Sequence, residues 1–148
     1  MNLISSIVVN RPRNMVWDLM NDARLFPLWQ KGYESTVQIK GSPGEEGAQA
    51  QHVYKENGKE FMFTEEVLES MPPSRIKVLL ESNVMSYEVE TELKESSGGT
   101  EITMTNHAVM KAFSFRILSP LLRKSFQKRQ DEDLVRLKKL AESQATDK

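Results

Sequence analysis

The stretch SPLLRKSFQKRQDEDLVRLKKLAE, residues 119–142, decides the fold. Ser119 can cap a helix through its hydroxyl, and Pro120 suits the first helical position, where its missing N–H would be unpaired in any case. No Gly or Pro follows before the chain ends, and good helix formers dominate. At 1.5 Å per residue this makes a rod of about 36 Å, enough to cross a small domain. Leu122, Phe126, Leu134, Leu137, Leu140 and Ala141 share one broad arc of the helical wheel, which Leu118 and Leu121 extend at the start. Gln130 and Asp133 interrupt that arc halfway. Such a helix needs a wide apolar surface to lie on.

The residues before it read as that surface. Asn57-Gly58 is a strong two-residue hairpin signal, and it sets a register in which Tyr54 faces Phe61, His52 faces Phe63 and Ala50 faces Glu65. Met71-Pro72-Pro73, Ser82-Asn83 and Ser96-Ser97-Gly98-Gly99 mark the later turns. Strands are expected at about 49–56, 60–69, 75–81, 85–95 and 100–110. On these registers Ile76, Val78, Leu80, Met85, Tyr87, Val89, Leu93, Ile102, Met104 and Ala108 share one face, while Lys77, Glu88, Glu90, Glu92, Glu101 and Thr103 take the other. That alternation predicts an antiparallel sheet with one face covered by the C-terminal helix and one in water.

Further upstream, Leu3 to Val9 reads as a strand ended by Asn10-Arg11-Pro12. A helix at about 12–21 follows, with Met15, Val16, Leu19 and Met20 turned inward. Asp22 to Phe26 suggests a second short helix stopped by Pro27, then Leu28, Trp29 and a strand at about 33–40. Residues 41–47 form a loop without the Lys-Ser/Thr of a phosphate-binding turn.

The 148 residues suffice for one domain, expected over 1–144 with 145–148 a frayed tail. A hydrophobic share of 39%, a charged share of 28% and a net charge of −1 fit an ordinary globular protein and give no case for a nucleic-acid partner. The charge is uneven. Lys111 to Lys139 holds nine basic residues against Asp131, Glu132 and Asp133, whereas 81–95 holds Glu81, Glu88, Glu90, Glu92 and Glu95 against Lys94. Solvated helix and strand faces account for this; so does a surface for anionic lipid, a peripheral membrane contact, or an acidic partner. The absence of cysteine excludes disulfides and fits a reducing cytosol, so the expected location is cytoplasmic. The N-terminus lacks the basic region of a signal peptide, and no apolar run approaches ~18 residues, so no transmembrane segment is expected.

The order of elements is strand, two short helices, six-strand meander and long helix. With it come Asn10-x-Pro12-x-x-x-Val16-Trp17, Asp22 with Pro27-x-Trp29, and Gly44-x-x-Gly47. Val67 followed by Pro72-Pro73, Gly99-Thr100 and Asp133-Leu134-x-x-Leu137-Lys138 complete the set. In these features the chain resembles the START-related helix-grip superfamily, in its bacterial polyketide cyclase/dehydratase-like branch. The resemblance implies an α+β helix-grip fold: a seven-stranded, strongly bent antiparallel sheet around the long C-terminal helix, with two short helices after strand 1 and an apolar cavity between sheet and helix. It does not specify activity, since relatives include lipid carriers, receptors, cyclases and chaperone cofactors.

Candidate chemistry is sparse. Two histidines, no cysteine and no zinc-binding spacing argue against a metal, and nothing names a cofactor. No Gly-x-Ser-x-Gly elbow is present. His107 falls on the outward register beside Glu88. His52 falls inward, diagonal to Glu65 and among Tyr54, Phe61 and Phe63. Either a bend or bulge takes that end of the sheet out to solvent, or the pair forms a polar spot on a cavity wall that orients a ligand or moves a proton. A cavity is expected to be lined by Trp29, His52, Tyr54, Phe61, Phe63, Glu65, Tyr87, Met104, Asn106, Phe126 and Gln130, at roughly the 300–1,000 Å³ usual for small-molecule sites. Asp133 has a ready account in Arg129 and Arg136, one turn away on either side. Three functions stay open: binding or carriage of a small apolar ligand of lipid, isoprenoid or aromatic polyketide type; cofactor-free cyclase or dehydratase action by His52 and Glu65; and protein interaction through the basic helix or acidic strand face. The oligomeric state is not legible.

Overall fold

The computed structural model describes residues 1–111 and 119–144. Strand β1 (Asn2–Val9) leads into helix α1 (Arg13–Met20), a single 3₁₀ turn (Ala23–Leu25) and a short helix α2 (Phe26–Trp29). A meander follows: β2 (Tyr33–Lys40), β3 (Gln49–Glu56), β4 (Lys59–Met71), β5 (Arg75–Glu81), β6 (Met85–Ser96) and β7 (Gly99–Met110). Helix α3 (Ser119–Ser143) closes the described chain. The seven strands form one antiparallel sheet in the order β1-β7-β6-β5-β4-β3-β2, so β1 and β2 are its edges. This is the expected α+β helix-grip architecture. Leu118 and the tail at 145–148 lie outside the described residues.

The Asn57-Gly58 turn has positive φ at both residues, 52° and 79°, as a type I′ hairpin requires. It sets Tyr54 opposite Phe61, His52 opposite Phe63 and Ala50 opposite Glu65. Pro27 does not stop a helix. It sits in the first turn of α2, where a proline ring clashes with nothing and no N–H is needed. The break before it is made by Asp22, whose carboxylate accepts from Arg24 N at 3.1 Å and caps the 3₁₀ turn.

The helix buries its two halves unequally. Leu134, Leu137 and Ala141 are buried with Val9, Val16, Trp17, Leu93 and Ile102. In the N-terminal half Phe126 is half-buried and Leu121 is 71% exposed, so Leu121 does not extend the packed arc. The core therefore fills the C-terminal end of the grip, and the sheet is left uncovered in its middle. The polar gap at Gln130 lies over that transition. Its Nε2 donates to Ser5 Oγ of β1 at 2.9 Å and to the Met104 carbonyl at 3.3 Å. Ser5 Oγ in turn donates to Asp131 Oδ1 at 2.5 Å and accepts from Gln127 Nε2 at 3.0 Å. Asp133 is held by Arg136 and by Lys31 N at 3.2 Å. Arg129 turns away from it, donating to Glu56 at 3.1 Å and to the Lys31 carbonyl. His107 does not use Glu88, which pairs with Lys77; its Nδ1 lies 2.5 Å from Asn2 Oδ1.

Candidate functional site

Between the concave face of the sheet and the N-terminal half of α3 lies a cavity of about 270 Å³. That is just under the expected range, and the reason is aromatic filling. A chain of ring contacts runs from Trp29 through Phe26, Tyr33, Tyr54, Phe63 and Tyr87 to Phe126, mostly edge to face, with centroids 5.5–6.5 Å apart. These rings occupy the space that a bent sheet otherwise leaves open, and they hold one another in the geometry their quadrupoles favour.

Of the residues expected on the wall, Trp29, His52, Tyr54, Phe63, Glu65, Tyr87, Met104, Asn106, Phe126 and Gln130 line the cavity. Phe61 does not. It pairs with Tyr54 near the tip of the hairpin and is 39% exposed. Arg129 sits over the Tyr54 ring at 5.7 Å, and the Tyr54 hydroxyl donates to Gln30 Oε1 at 2.6 Å. These contacts end the wall at Tyr54 and leave Phe61 beyond it. Met20, Ile76, Val78, Leu80 and Val89, all on faces that periodicity turns inward, line it as well, and Phe26, Thr36 and Val67 join them without having been expected there.

One polar stretch of the wall, at Thr36, His52 and Glu65, belongs to a chain of four side chains that Tyr33 completes from beside the cavity. Tyr33 Oη lies 2.6 Å from Thr36 Oγ1, which lies 2.7 Å from His52 Nδ1. His52 Nε2 lies 3.4 Å from Glu65 Oε2. The expected meeting of His52 and Glu65 thus takes place directly, on the concave side, with His52 only 3% exposed. A bulge brings in the other two members. The β2–β3 register shifts between Tyr33 and Ser35, so Tyr33 opposes Tyr54 and Thr36 opposes His52, both inward. Without the extra residue, positions 33 and 36 would point to opposite faces. A single inserted residue leaves no compositional signal, which is why neither was found from the sequence.

Two further polar atoms on the wall are buried without a hydrogen-bond partner among the described residues: the Trp29 indole Nε1 and Asn106 Oδ1. Burial also shapes the titrating groups nearby. It pushes the Tyr87 phenol up to about 12 and raises the Tyr54 phenol further, with the Glu65 charge adding to the effect and Arg129 opposing it. Both phenols are neutral donors at physiological pH. Burial also lifts the Asp133 carboxyl, against the pull of Lys31 N and Arg136. Among the described residues no group of three His, Cys, Asp or Glu is placed to hold a metal ion, and no helix is long and apolar enough to cross a membrane.

The fold is shared with solved structures of low sequence identity. TTHA0849 from Thermus thermophilus superposes with a TM-score of 0.79 at 20% identity, over 97% of this chain and all of that one. The di-domain ARO/CYC BexL of the BE-7585A biosynthetic pathway gives a TM-score of 0.79 at 15% identity, over 98% of this chain and 51% of BexL. Ara h 8.0201 gives 0.70 at 12% identity, over 97% and 99% of the two chains. At these identities the likeness establishes the fold alone. No curated protein matches by sequence. The family model described as polyketide cyclase / dehydrase and lipid transport matches residues 3–142, and the chain belongs to that family.

Proposed function

We propose that this chain binds or carries a small apolar ligand, of lipid, isoprenoid or aromatic polyketide type, between its sheet and α3, and that it does so in the cytoplasm. The observation that carries the reading is the cavity itself: about 270 Å³ walled by aromatic and aliphatic side chains, with a few polar groups converging on it. A packed interior would have favoured an interaction module, in which only the outer faces matter. Membership of a family described by both cyclase/dehydrase action and lipid transport supports a ligand in that space without choosing one. The choice rests on shape and on the groups at Trp29 and Asn106 that have no partner among the described residues.

The experiment is native mass spectrometry of the protein purified from its own host. A mass above that of the 17.0 kDa chain, released by organic extraction, is the expected result. Material that is free of ligand, and that takes up no apolar compound when challenged, counts against the reading. Cofactor-free cyclase or dehydratase action is the second reading, and the contact between His52 and Glu65 favours it.

A further inference from the structure

We infer that β2 is a self-association edge: two copies of the chain pair their β2 strands antiparallel about a two-fold axis at Val37, and the two sheets become one.

The sheet has two edges, and the chain treats them differently. An edge strand presents a row of unpaired N–H and C=O groups, which proteins cover or blunt. β1 is covered. Helix α3 lies along it and gives a side-chain donor to three of its carbonyls: Arg123 Nη2 to Asn2 O at 3.5 Å, Gln127 Nε2 to Ile4 O at 3.1 Å and Lys138 Nζ to Val8 O at 2.5 Å. β2 has β3 on one side and no strand on the other. Among the described residues the one side-chain donor to its main chain is Gln38 Nε2, to Lys40 O at 3.1 Å, and it comes from β2 itself. Apolar exposure does not separate the edges, since Ile4 of β1 is as open as Val37 of β2, at 64% and 61%. The uncovered main chain does.

The strand YESTVQIK, residues 33–40, is complementary to itself in the antiparallel sense. An axis through Val37 pairs positions that sum to 74. Glu34 then faces Lys40 of the second copy, Ser35 faces Ile39, Thr36 faces Gln38, and Val37 faces its own copy. Glu34 and Lys40 are both exposed, and neither has an ion partner among the described residues. A two-fold contact uses the same patch twice, so one acid and one base equidistant from the axis make two ion pairs. A slip of two residues in either direction loses both. Thr36 lines the cavity, so Val37 lies on the other face, where the two valines meet as a directly opposed pair. This match in sign and spacing selects a second copy over an unrelated strand.

The bulges at Glu34 and Ile39 bound the contact. They leave Ser35 to Gln38 as the regular run, so the pairing is short and the dimer is weak and reversible. The assembly also closes. Once the two β2 strands are joined, the fused sheet ends on two β1 strands, each covered by its own α3, and no edge remains to add a third copy.

The test is analytical ultracentrifugation of the full chain, from roughly a tenth to ten times a Kd on the order of 100 µM, the weak association that a small interface gives. The wild-type mass should rise from one chain toward two, and amide hydrogen exchange within Ser35 to Gln38 should slow over the same range. Glu34→Lys and Lys40→Glu should each weaken association roughly tenfold, because two surface pairs turn from attraction to repulsion. An equimolar mixture of the two variants should recover the dimer, and so should the double variant, because each charge then meets its opposite. Val37→Lys sets two ammonium groups on the axis and should leave the protein monomeric throughout. If Val37→Lys fails to fold, the charge reversals and their mixture carry the test. A wild-type protein that stays monomeric at the highest concentration overturns the inference and leaves the edge to water or to a strand of another protein. A dimer indifferent to either charge reversal, or one that the mixture fails to restore, overturns the assigned edge and register.

Discussion

Gln130 on α3 donates to the hydroxyl of Ser5 on β1 at 2.9 Å, and this bond joins the sheet's edge strand to the helix it grips. Ser5 is 5% exposed and Gln130 7% exposed, so water does not replace the contact readily. Ser5→Ala removes the acceptor used by Gln130 and Gln127 and the donor used by Asp131. A loss of about 1–3 kcal/mol is expected, the cost of leaving buried polar groups unpaired. Urea unfolding measures it; a change under about 0.5 kcal/mol, the size of an ordinary surface substitution, would mean that the bond is not a latch.

Leu137 and Phe126 lie on the same helix arc and should respond differently to truncation. Leu137 is fully buried in the closed end of the core, so Leu137→Ala should cost about 2–5 kcal/mol. Phe126 is half-buried and borders space that is already open. Phe126→Ala should therefore cost less than the roughly 3–5 kcal/mol of a packed phenylalanine. Equal losses in parallel denaturant titrations would mean that the cavity closes in solution.

Asp133 gives stability a pH dependence of known sign. Burial raises its carboxyl pKa in the fold, while the unfolded chain ionises near about 3.9. Between those values the folded state binds more protons, so stability falls as pH rises through the window and the loss is complete above it. Asp133→Asn should flatten stability against pH over that range. An unchanged slope would assign the effect to other carboxylates.

Much of this was legible in the sequence, and the part that was not has a common cause. Asn57-Gly58 carries its own turn geometry, so the register as far as Ala50 and Glu65 followed from two adjacent residues. Alternation along β5, β6 and β7 likewise identified the wall at Val78, Tyr87, Val89 and Met104. Thr36 was missed because a one-residue bulge reverses which residues of β2 face inward. Ser5 was missed as the partner of Gln130 because 125 positions separate them and only the β1–β7 pairing brings them together. Phe61 was placed on the wall because alternation gives a face but not where the cavity ends. Local chemistry is written locally; closure of the sheet on the helix is not.

The Gly32 turn is a second test of local geometry. Gly32 has φ of +77°, and an added Cβ would lie 2.5 Å from the Lys55 carbonyl oxygen. That approach cannot relax, because the contact is with backbone and Lys55 N also donates to Gly32 O at 2.7 Å. Gly32→Ala should destabilise by more than the ~1 kcal/mol that an unstrained glycine replacement gains, and should disturb Tyr33 next to it. A thermal midpoint equal to wild type would contradict the close packing of α2 and β2 on β3.

The most direct measurement of the central claim is a methyl NMR titration of the methionine-labelled protein with an apolar naphthalene dye. Met20 and Met104 line the cavity, whereas Met62 and Met71 are 57% and 59% exposed elsewhere. The account predicts saturable binding at micromolar concentration, with the Met20 and Met104 methyl signals shifting and those of Met62 and Met71 unmoved. Val89→Phe, which places a ring in the space, should weaken the affinity roughly tenfold, about 1.4 kcal/mol. Shifts confined to Met62 and Met71, or no saturable binding by the folded protein, would contradict it.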